Sequence, residues 1–182
     1  MMKYIGAVLA FLFLAFLVKV GFENTAKSSA KSARLECHKK STVFERVYDE
    51  ALMKKAQHAL QQGNYELLSR VKKAHYMESK LFEYVDMKAV DRMVNENIAA
   101  YRDSEAKSDT PVTIDYFVYE NDKGDPGKKT PKSKLYAGYL HFKVMVEGER
   151  IYVIQIDFMD LKGKDIPSKV ACAIRSIMTA TS

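Results

Sequence analysis

The sequence predicts an α+β protein: an N-terminal apolar helix, a three-helix segment packed on a three-stranded antiparallel meander, and a C-terminal helix. Apolar residues recur at helical spacing over 43–101, and they alternate with period two in three segments between 112 and 159. Helical spacing returns after Pro167. Helices followed by a run of strands are typical of α+β domains, in which the helices cover one face of the sheet.

The first element is an apolar run over residues 4–18, preceded by the basic residue Lys3. This layout is typical of a signal peptide, although small residues suited to a cleavage site are poorly represented. Extended through Lys19 to Phe22, the run approaches the roughly 20 residues of a membrane-spanning helix. We therefore expect a membrane anchor, or alternatively a cleaved signal segment, over 1–22. A spacer rich in Lys, Ser and Ala is expected over residues 23–41.

The charges around this run leave the orientation open. Lys3 precedes the run, whereas six basic residues follow it between positions 19 and 40. The positive-inside rule would place the following domain in the cytoplasm. The signal-like layout favours export, so we expect a membrane-anchored domain in the periplasm or an equivalent compartment. Secretion after cleavage and a cytoplasm-facing domain are the alternatives.

A single α+β domain is expected over residues 42–182. Thr42 and Glu45 have the spacing of a capping box, and the apolar positions after them predict a helix over 43–62. Gly63 is suited to end that helix, because glycine adopts the left-handed conformation found after helix C-termini.

Further caps predict three more helices. Asn64 is expected to cap a short second helix, and Asp86 a third. Asp165 or Ser168 is expected to cap the final helix, with Pro167 in its first turn. The inward residues of the second helix are expected to be Leu67, Leu68 and Val71.

The three strands are expected over 112–120, 135–146 and 150–159, with one apolar face each. That inner face consists of Val112, Ile114, Tyr116, Leu140, Phe142, Val144, Tyr152, Ile154, Ile156 and Phe158. A three-residue loop over 146–148, with Gly148 in the left-handed conformation, keeps apolar residues opposite one another. A two-residue loop would scramble the faces. The longer loop pairs Val144 with Arg150, Phe142 with Tyr152, Leu140 with Ile154 and Gly138 with Ile156.

The opposite sheet face is the candidate face for a ligand or partner. It carries Asp115, Phe117, Tyr119, Tyr139, His141, Lys143, Gln155 and Asp157. The register above places Tyr139 opposite Gln155 and Ala137 opposite Asp157, so His141 and Asp157 are not cross-strand neighbours. The ordinary alternative is a solvated sheet face, on which alternating polar residues are expected.

The loop between the first two strands is a candidate anion-contact loop. Its basic residues are Lys123, Lys128, Lys129, Lys132 and Lys134. It lacks the spacing of a phosphate-binding P-loop and leads to a strand instead of a helix. One interpretation of this loop is that its lysines contact lipid headgroups or an acidic partner, and the alternative is a solvated hairpin tip.

No catalytic residue, metal site or cofactor is predicted. The chain has four histidines without metal-ligand spacing and two cysteines outside any Cys-x-x-Cys motif. A net charge of +6 suits nucleic acid or anionic lipid. Nucleic acid is not favoured, because no recognition helix or base-stacking platform stands out.

Cys37 and Cys172 are expected to form a disulfide. Cys172 lies about 200° around the final helix from Val170, which predicts a position off the buried stripe. Cys37 precedes the first predicted helix. Two cysteines outside the core of an exported domain suggest a cross-link between the spacer and the final helix, and two unrelated thiols are the alternative.

By element order, residues 43–159 resemble the cone-shaped nuclear-transport-factor-like (cystatin-like) α+β domains. The stretch Ala59–Tyr65 resembles a helix-end sequence common among them. The resemblance implies N-terminal helices lying across a strongly curved antiparallel sheet. Membrane-anchored versions are inner-membrane components of type IV secretion systems. The order of the chain also resembles pilin-like proteins, in which an N-terminal apolar helix leads to a helix-backed sheet. Neither resemblance carries functional residues over.

These observations favour a membrane-tethered, extracytoplasmic protein-interaction domain, as a component of an envelope assembly. The expected partners are the membrane, through residues 4–22, and another protein. There are three alternatives. The chain is a small-molecule-binding domain or minor enzyme that uses the polar sheet face, a pilin-like subunit, or a cytoplasmic domain whose basic spacer contacts anionic lipid. The sequence does not predict an oligomeric state.

Overall fold

The computed structural model describes residues 34–103 and 108–180. The chain divides into two units, Met1–Glu36 and Cys37–Ser182, and the fold belongs to the second. The predicted membrane segment and most of its spacer lie outside the described residues. Within the described ranges, no helix has both the length and the apolar character that crossing a membrane requires.

The second unit is an α+β domain built on one mixed sheet. Its strands and α-helices are β1 Val43–Val47, α1 Glu50–Gln62, β2 Glu66–Lys72, α2 Leu81–Tyr84, α3 Met87–Ala99, β3 Val112–Glu120, β4 Gly138–Val146, β5 Glu149–Phe158 and α4 Ile166–Met178. The five strands lie in the order β1-β5-β4-β3-β2, and β2 runs parallel to β3 while the other neighbours are antiparallel. The α+β class is confirmed. The predicted three-stranded meander is wrong, because β3, β4 and β5 are the centre of a wider sheet.

The first correction concerns the start of the predicted helix 43–62. Residues Val43–Val47 form an edge strand paired with β5, because their short apolar pattern fits a strand as well as a helix. The carbonyl of Thr42 accepts a hydrogen bond from the backbone of Asp157 at 3.0 Å instead of opening a capping box. Helix α1 begins later, where the Asp49 carboxylate accepts a hydrogen bond from the Leu52 backbone N–H at 2.8 Å.

The second correction concerns the short helix expected after Asn64. Gly63 ends α1 with φ 81°, as predicted, but residues Glu66–Lys72 then form strand β2. Leu67 and Val71 lie four residues apart, a spacing that suits one helix face and also one strand face. Their partners on β3 lie some 47 positions further along the chain, as in Leu67 opposite Ile114, so local pattern does not reveal the pairing.

Two predicted helices are confirmed. The Asp86 side chain accepts a hydrogen bond from the Lys88 backbone N–H at 3.0 Å and caps α3. Helix α4 follows Asp165, with a proline in its first turn. The carboxylate of Asp165 does not bond the end of the helix. It accepts hydrogen bonds from the backbone N–H groups of Met159 and Asp160, at 2.8 and 3.2 Å, and so holds the preceding loop.

The turn between β4 and β5 differs from the predicted three-residue loop. Glu147 and Gly148 form a two-residue turn with φ values of 52° and 84°, the backbone of a type I′ hairpin turn. A register shift between Val144 and Met145 adds one residue, Ile151, to β5. This bulge returns the apolar residues to a common face, which is why the shorter loop does not scramble them. The observed pairs are Val144 with Tyr152, Phe142 with Ile154, Leu140 with Ile156 and Gly138 with Phe158.

The hydrophobic core lies between one sheet face and helices α1, α3 and α4. All ten residues predicted for the inner face are buried, which confirms the pattern of the three central strands. Helix residues such as Met53, Leu60, Val94 and Ile174 complete this core. The buried cluster lies within Cys37–Ser182, so this unit has the core of an independently folding domain.

Candidate functional site

The candidate site is the sheet face that the described helices leave open, called the open face below. It contains the alternate residues of all five strands. One row across it runs Phe44, Gln155, His141, Phe117, Arg70. The next row runs Asp157, Tyr139, Tyr119, Lys72. A further row pairs Asp115 with Lys143. All eight residues predicted for the face away from the core therefore share this surface, with two corrections: Asp157 lies opposite Tyr139 instead of Ala137, and Gln155 lies opposite His141 instead of Tyr139.

Aromatic rings fill the centre of the open face and stack on one another. The rings of Phe117 and His141 are nearly parallel, with centroids 4.9 Å apart, and those of Tyr119 and Tyr139 are 4.6 Å apart. The Lys72 Nζ lies 3.8 Å from the centre of the Phe117 ring. Because the rings lie against each other, this centre is a packed aromatic surface and does not offer a row of free ring faces for stacking bases.

Charged groups surround this aromatic centre. The Oδ2 atom of Asp115 lies 2.7 Å from the guanidinium of Arg70 and 3.4 Å from the Lys143 Nζ. Burial lowers the pKa of His141, and the nearby ammonium groups of Lys143 and Lys72 lower it further. The imidazole is therefore neutral at neutral pH. The buried Oδ1 of Asp115 and Nδ1 of His141 have no hydrogen-bond partner among the described residues.

The part of the open face around Asp157 and Tyr139 carries a buried carboxyl group and a half-buried hydroxyl group. Burial raises the pKa of Asp157, while the amide of Gln155 donates a hydrogen bond to its Oδ1 at 3.2 Å and partly offsets the effect. Burial also raises the pKa of Tyr139 to about 12, with further contributions from Tyr119, Tyr136 and Asp157. His141 and Asp157 are not paired across the strands, as expected. The geometry gives no acid–base couple here and offers instead hydroxyl and carboxyl groups for hydrogen bonding.

Exposed apolar side chains lie at the two edges of the open face. On β1, Phe44 is 62% exposed, and Tyr48 follows that strand with the guanidinium groups of Arg46 and Arg150 4.9 and 4.7 Å from its ring centre. On β2, Leu68 is exposed as well. Sequence reasoning missed these residues because it placed both segments in helices. Aromatic and arginine side chains of this kind are enriched at protein interfaces.

The lysine-rich loop is more ordered than a solvated tip. Asn121 is fully buried, and its amide donates to the carbonyls of Ser133 and Tyr136 at 3.2 and 2.8 Å. The Lys128 Nζ turns inward and donates to Asn121 Oδ1, and it lies 5.4 Å from the centre of the Tyr119 ring. Among the other predicted anion-contact residues, Lys123 is partly buried and three are exposed: Lys129, Lys132 and Lys134.

The predicted disulfide is present. Cys37 and Cys172 are bonded, with Cα atoms 6.0 Å apart. The expectation that Cys172 lies off the core is wrong, because that residue is buried. The segment before β1 lies along α4 and covers its predicted outer side, where Lys169 donates a hydrogen bond to the Ser41 hydroxyl.

Beside the disulfide lies a Ser–His–Glu arrangement that sequence reasoning did not find. The His38 Nε2 lies 2.7 Å from Ser176 Oγ, and His38 Nδ1 lies 3.8 Å from a Glu45 oxygen. A hydrolytic triad needs a serine that substrate can reach, whereas Ser176 is fully buried and its hydroxyl bonds the carbonyl of Cys172. Cys37, His38 and Cys172 also bring possible metal-ligand atoms within 4.8 Å, but the two sulfurs are joined to each other. The cluster therefore fixes the segment before β1 onto α4.

The described part of the chain also has a pocket at a place away from the open face. It has a volume of about 350 Å³ and is lined by Gln61, Gln62, Arg102 and Asp103. None of the predicted site residues lines it. Comparisons with protein-family models, with curated proteins and with solved structures found no match, so the open face is interpreted from its own chemistry.

Proposed function

We propose that this chain is a membrane-tethered, extracytoplasmic protein-interaction domain, and that the open face binds another protein of an envelope assembly. The single observation that carries the proposal is a five-stranded face that the described helices leave open, with a packed aromatic centre and exposed apolar edges at Phe44 and Leu68. Soluble domains seldom expose such a combination unless it contacts something.

The chemistry of the open face suggests the character of the partner. Arg46, Arg70, Lys72 and Arg150 supply positive charge, whereas Asp115 already contacts two cations. We therefore expect a partner surface with acidic side chains around an apolar or aromatic centre.

Two features support the tether and its location. The apolar run over residues 4–18 has the composition of a membrane segment. The disulfide between Cys37 and Cys172 fits an oxidising compartment, because structural disulfides are rare where thiols are kept reduced.

The test places photo-crosslinking residues in the full-length chain in membranes of its own host. Positions Phe44 and Leu68 report on the open face, and the exposed positions His58 and Glu96 report on the helical side. We expect defined adducts with a protein from the first pair only, and we expect Arg46→Glu to weaken the adduct formed at Leu68. Equal adducts from both sides, or none from the open face, would contradict the proposal. Reporter fusions after Ser182 test the compartment independently.

A further inference from the structure

A second surface lies at the end of the sheet where β2, β3 and β5 finish and β4 begins. Three loops meet there, over residues 73–86, 121–137 and 159–165, and the first of them contains the single turn of helix α2. These loops are called the loop end below. They extend beyond the ends of the strands, and the second loop touches the edge of the open face through Lys128 and Tyr119.

Buried carboxylates tie the loop end together. The Glu120 carboxylate accepts hydrogen bonds from the backbone N–H groups of Ala74 and Lys80, at 3.1 and 2.9 Å. The Asp122 carboxylate accepts them from His75 and Tyr76, at 2.6 and 2.7 Å. Although desolvation opposes ionisation, these bonds hold the pKa of Asp122 below its usual value.

The third loop is held in the same way. The Ala137 N–H donates to the carbonyl of Phe158 at 2.9 Å, which joins the second loop to the start of the third. Gly163 packs so closely on the Tyr84 ring that an added Cβ would lie 2.8 Å from it. The conformation of the loop end is therefore set by contacts inside the domain, before anything binds.

The loop end carries an unusual share of the exposed apolar side chains. Five of the eight large hydrophobic residues that are exposed in the described part of the chain lie on these loops, and Leu135 and Leu161 are each 65% exposed. The five are Tyr76, Phe82, Leu135, Met159 and Leu161. Each of the three loops supplies at least one of them, so exposed apolar groups are present on every part of the loop end.

The charge that accompanies these side chains is mostly positive. The exposed acidic residues of the loops are Glu78, Glu83 and Asp86. The exposed lysines are more numerous: Lys73, Lys80, Lys129, Lys132, Lys134, Lys162 and Lys164. Projecting apolar groups among lysines are what an anionic bilayer surface binds, because the ammonium groups meet lipid phosphates while the apolar groups enter the boundary of the acyl chains.

We propose that the loop end docks on an anionic phospholipid bilayer, with Leu135 and Leu161 entering the headgroup region and Lys129, Lys132 and Lys134 contacting lipid phosphates. This inference goes beyond the proposed function and shares with it only the location at a membrane. Docking in this way would leave the open face to the side, accessible to a protein partner.

The test uses the Cys37–Ser182 unit, which has its own core, and exploits the absence of tryptophan from the chain. Leu135→Trp and Leu161→Trp each create a single fluorophore at the loop end, and Phe44→Trp creates one on the open face. With vesicles containing phosphatidylglycerol, we expect a blue shift and quenching by brominated acyl chains for the first two variants only. Phosphatidylcholine vesicles should give neither effect.

Matched charge reversals test the role of the lysines. The double variant K129E/K132E should bind anionic vesicles at least about tenfold more weakly. The double variant K54E/K55E, on exposed positions of α1, changes the net charge equally and should bind as the parent does. Equal losses in both doubles, equal signals from Phe44→Trp, or no binding by the folded unit would overturn the proposal. Open-face crosslinks that persist in that case would leave the proposed function standing.

Discussion

Removal of the disulfide is the most informative perturbation of stability. The double variant C37A/C172A removes a cross-link between residues 135 positions apart. In the chain-entropy model, closing a loop of that length lowers the entropy of the unfolded chain and stabilises the folded state by about 5 kcal/mol at 25 °C. This value is comparable with the whole free energy of unfolding of many domains of this size.

The folded structure indicates how much of that effect will be observed. Cys172 is buried, so its truncation also removes packing, which adds to the loss. Against this, the pairing of β1 with β5 and the 2.7 Å contact between His38 and Ser176 keep the same segment in place without the cross-link. We expect a net loss of about 3–5 kcal/mol in the free energy of unfolding.

Guanidinium unfolding of the Cys37–Ser182 unit measures this loss. The variant should unfold at lower denaturant and with a larger m value, because its unfolded chain is free to expose more surface. The parent protein measured with a thiol reductant separates the cross-link from packing, since it keeps both sulfur atoms. A loss below about 1 kcal/mol with an unchanged m value would refute the reasoning.

Three further predictions concern the sheet. Phe142→Ala should lower the free energy of unfolding by about 3–5 kcal/mol, because this fully buried ring stacks on the core residue Tyr116. Lys143→Ala, on the open face, should lower it by less than about 1 kcal/mol. Equal losses for the two variants in urea titrations would contradict the assignment of the two sheet faces. Gly138→Ala should lower the free energy of unfolding by about 3 kcal/mol or more, because the added Cβ would lie 2.1 Å from the backbone oxygen of Tyr119 on β3. An unchanged midpoint of thermal unfolding would contradict that close contact. As pH falls below about 6.5, the His141 side chain of the unfolded chain takes up a proton, whereas burial keeps the same imidazole neutral in the folded state, so the free energy of unfolding should fall. His141→Gln should reduce this dependence on pH, and an unchanged dependence in urea titrations at several pH values would contradict the prediction.

The central part of the fold was predictable because its patterns are local and unambiguous. Three period-two segments defined β3, β4 and β5 and the ten residues of their inner face. The cap at Asp86, the proline after Asp165 and the glycine after α1 marked helix ends, since these signals depend only on residues within one turn. The disulfide was also predicted, although its helical-wheel argument placed Cys172 wrongly outside the core.

The candidate site was predictable only in its centre. The alternation along β3, β4 and β5 placed residues such as Tyr139 and His141 on the face away from the core. The exposed edges at Phe44 and Leu68 were missed, because residues inside a predicted helix are not assigned to a sheet face. The grouping of loops into the loop end required the parallel pairing of β2 with β3, which no neighbouring residue signals.

The sequence by itself therefore determined the class of fold, the antiparallel centre of the sheet and the cross-linked cysteines, since each follows from periodicity or composition. Only the tertiary structure decided the two outer strands. Val43–Val47 and Glu66–Lys72 are short segments whose apolar spacing suits a helix or a strand equally well. They become strands because the backbone edges of β5 and β3 offer hydrogen-bond partners far away in sequence, and a contact of that kind exists only once the chain has folded.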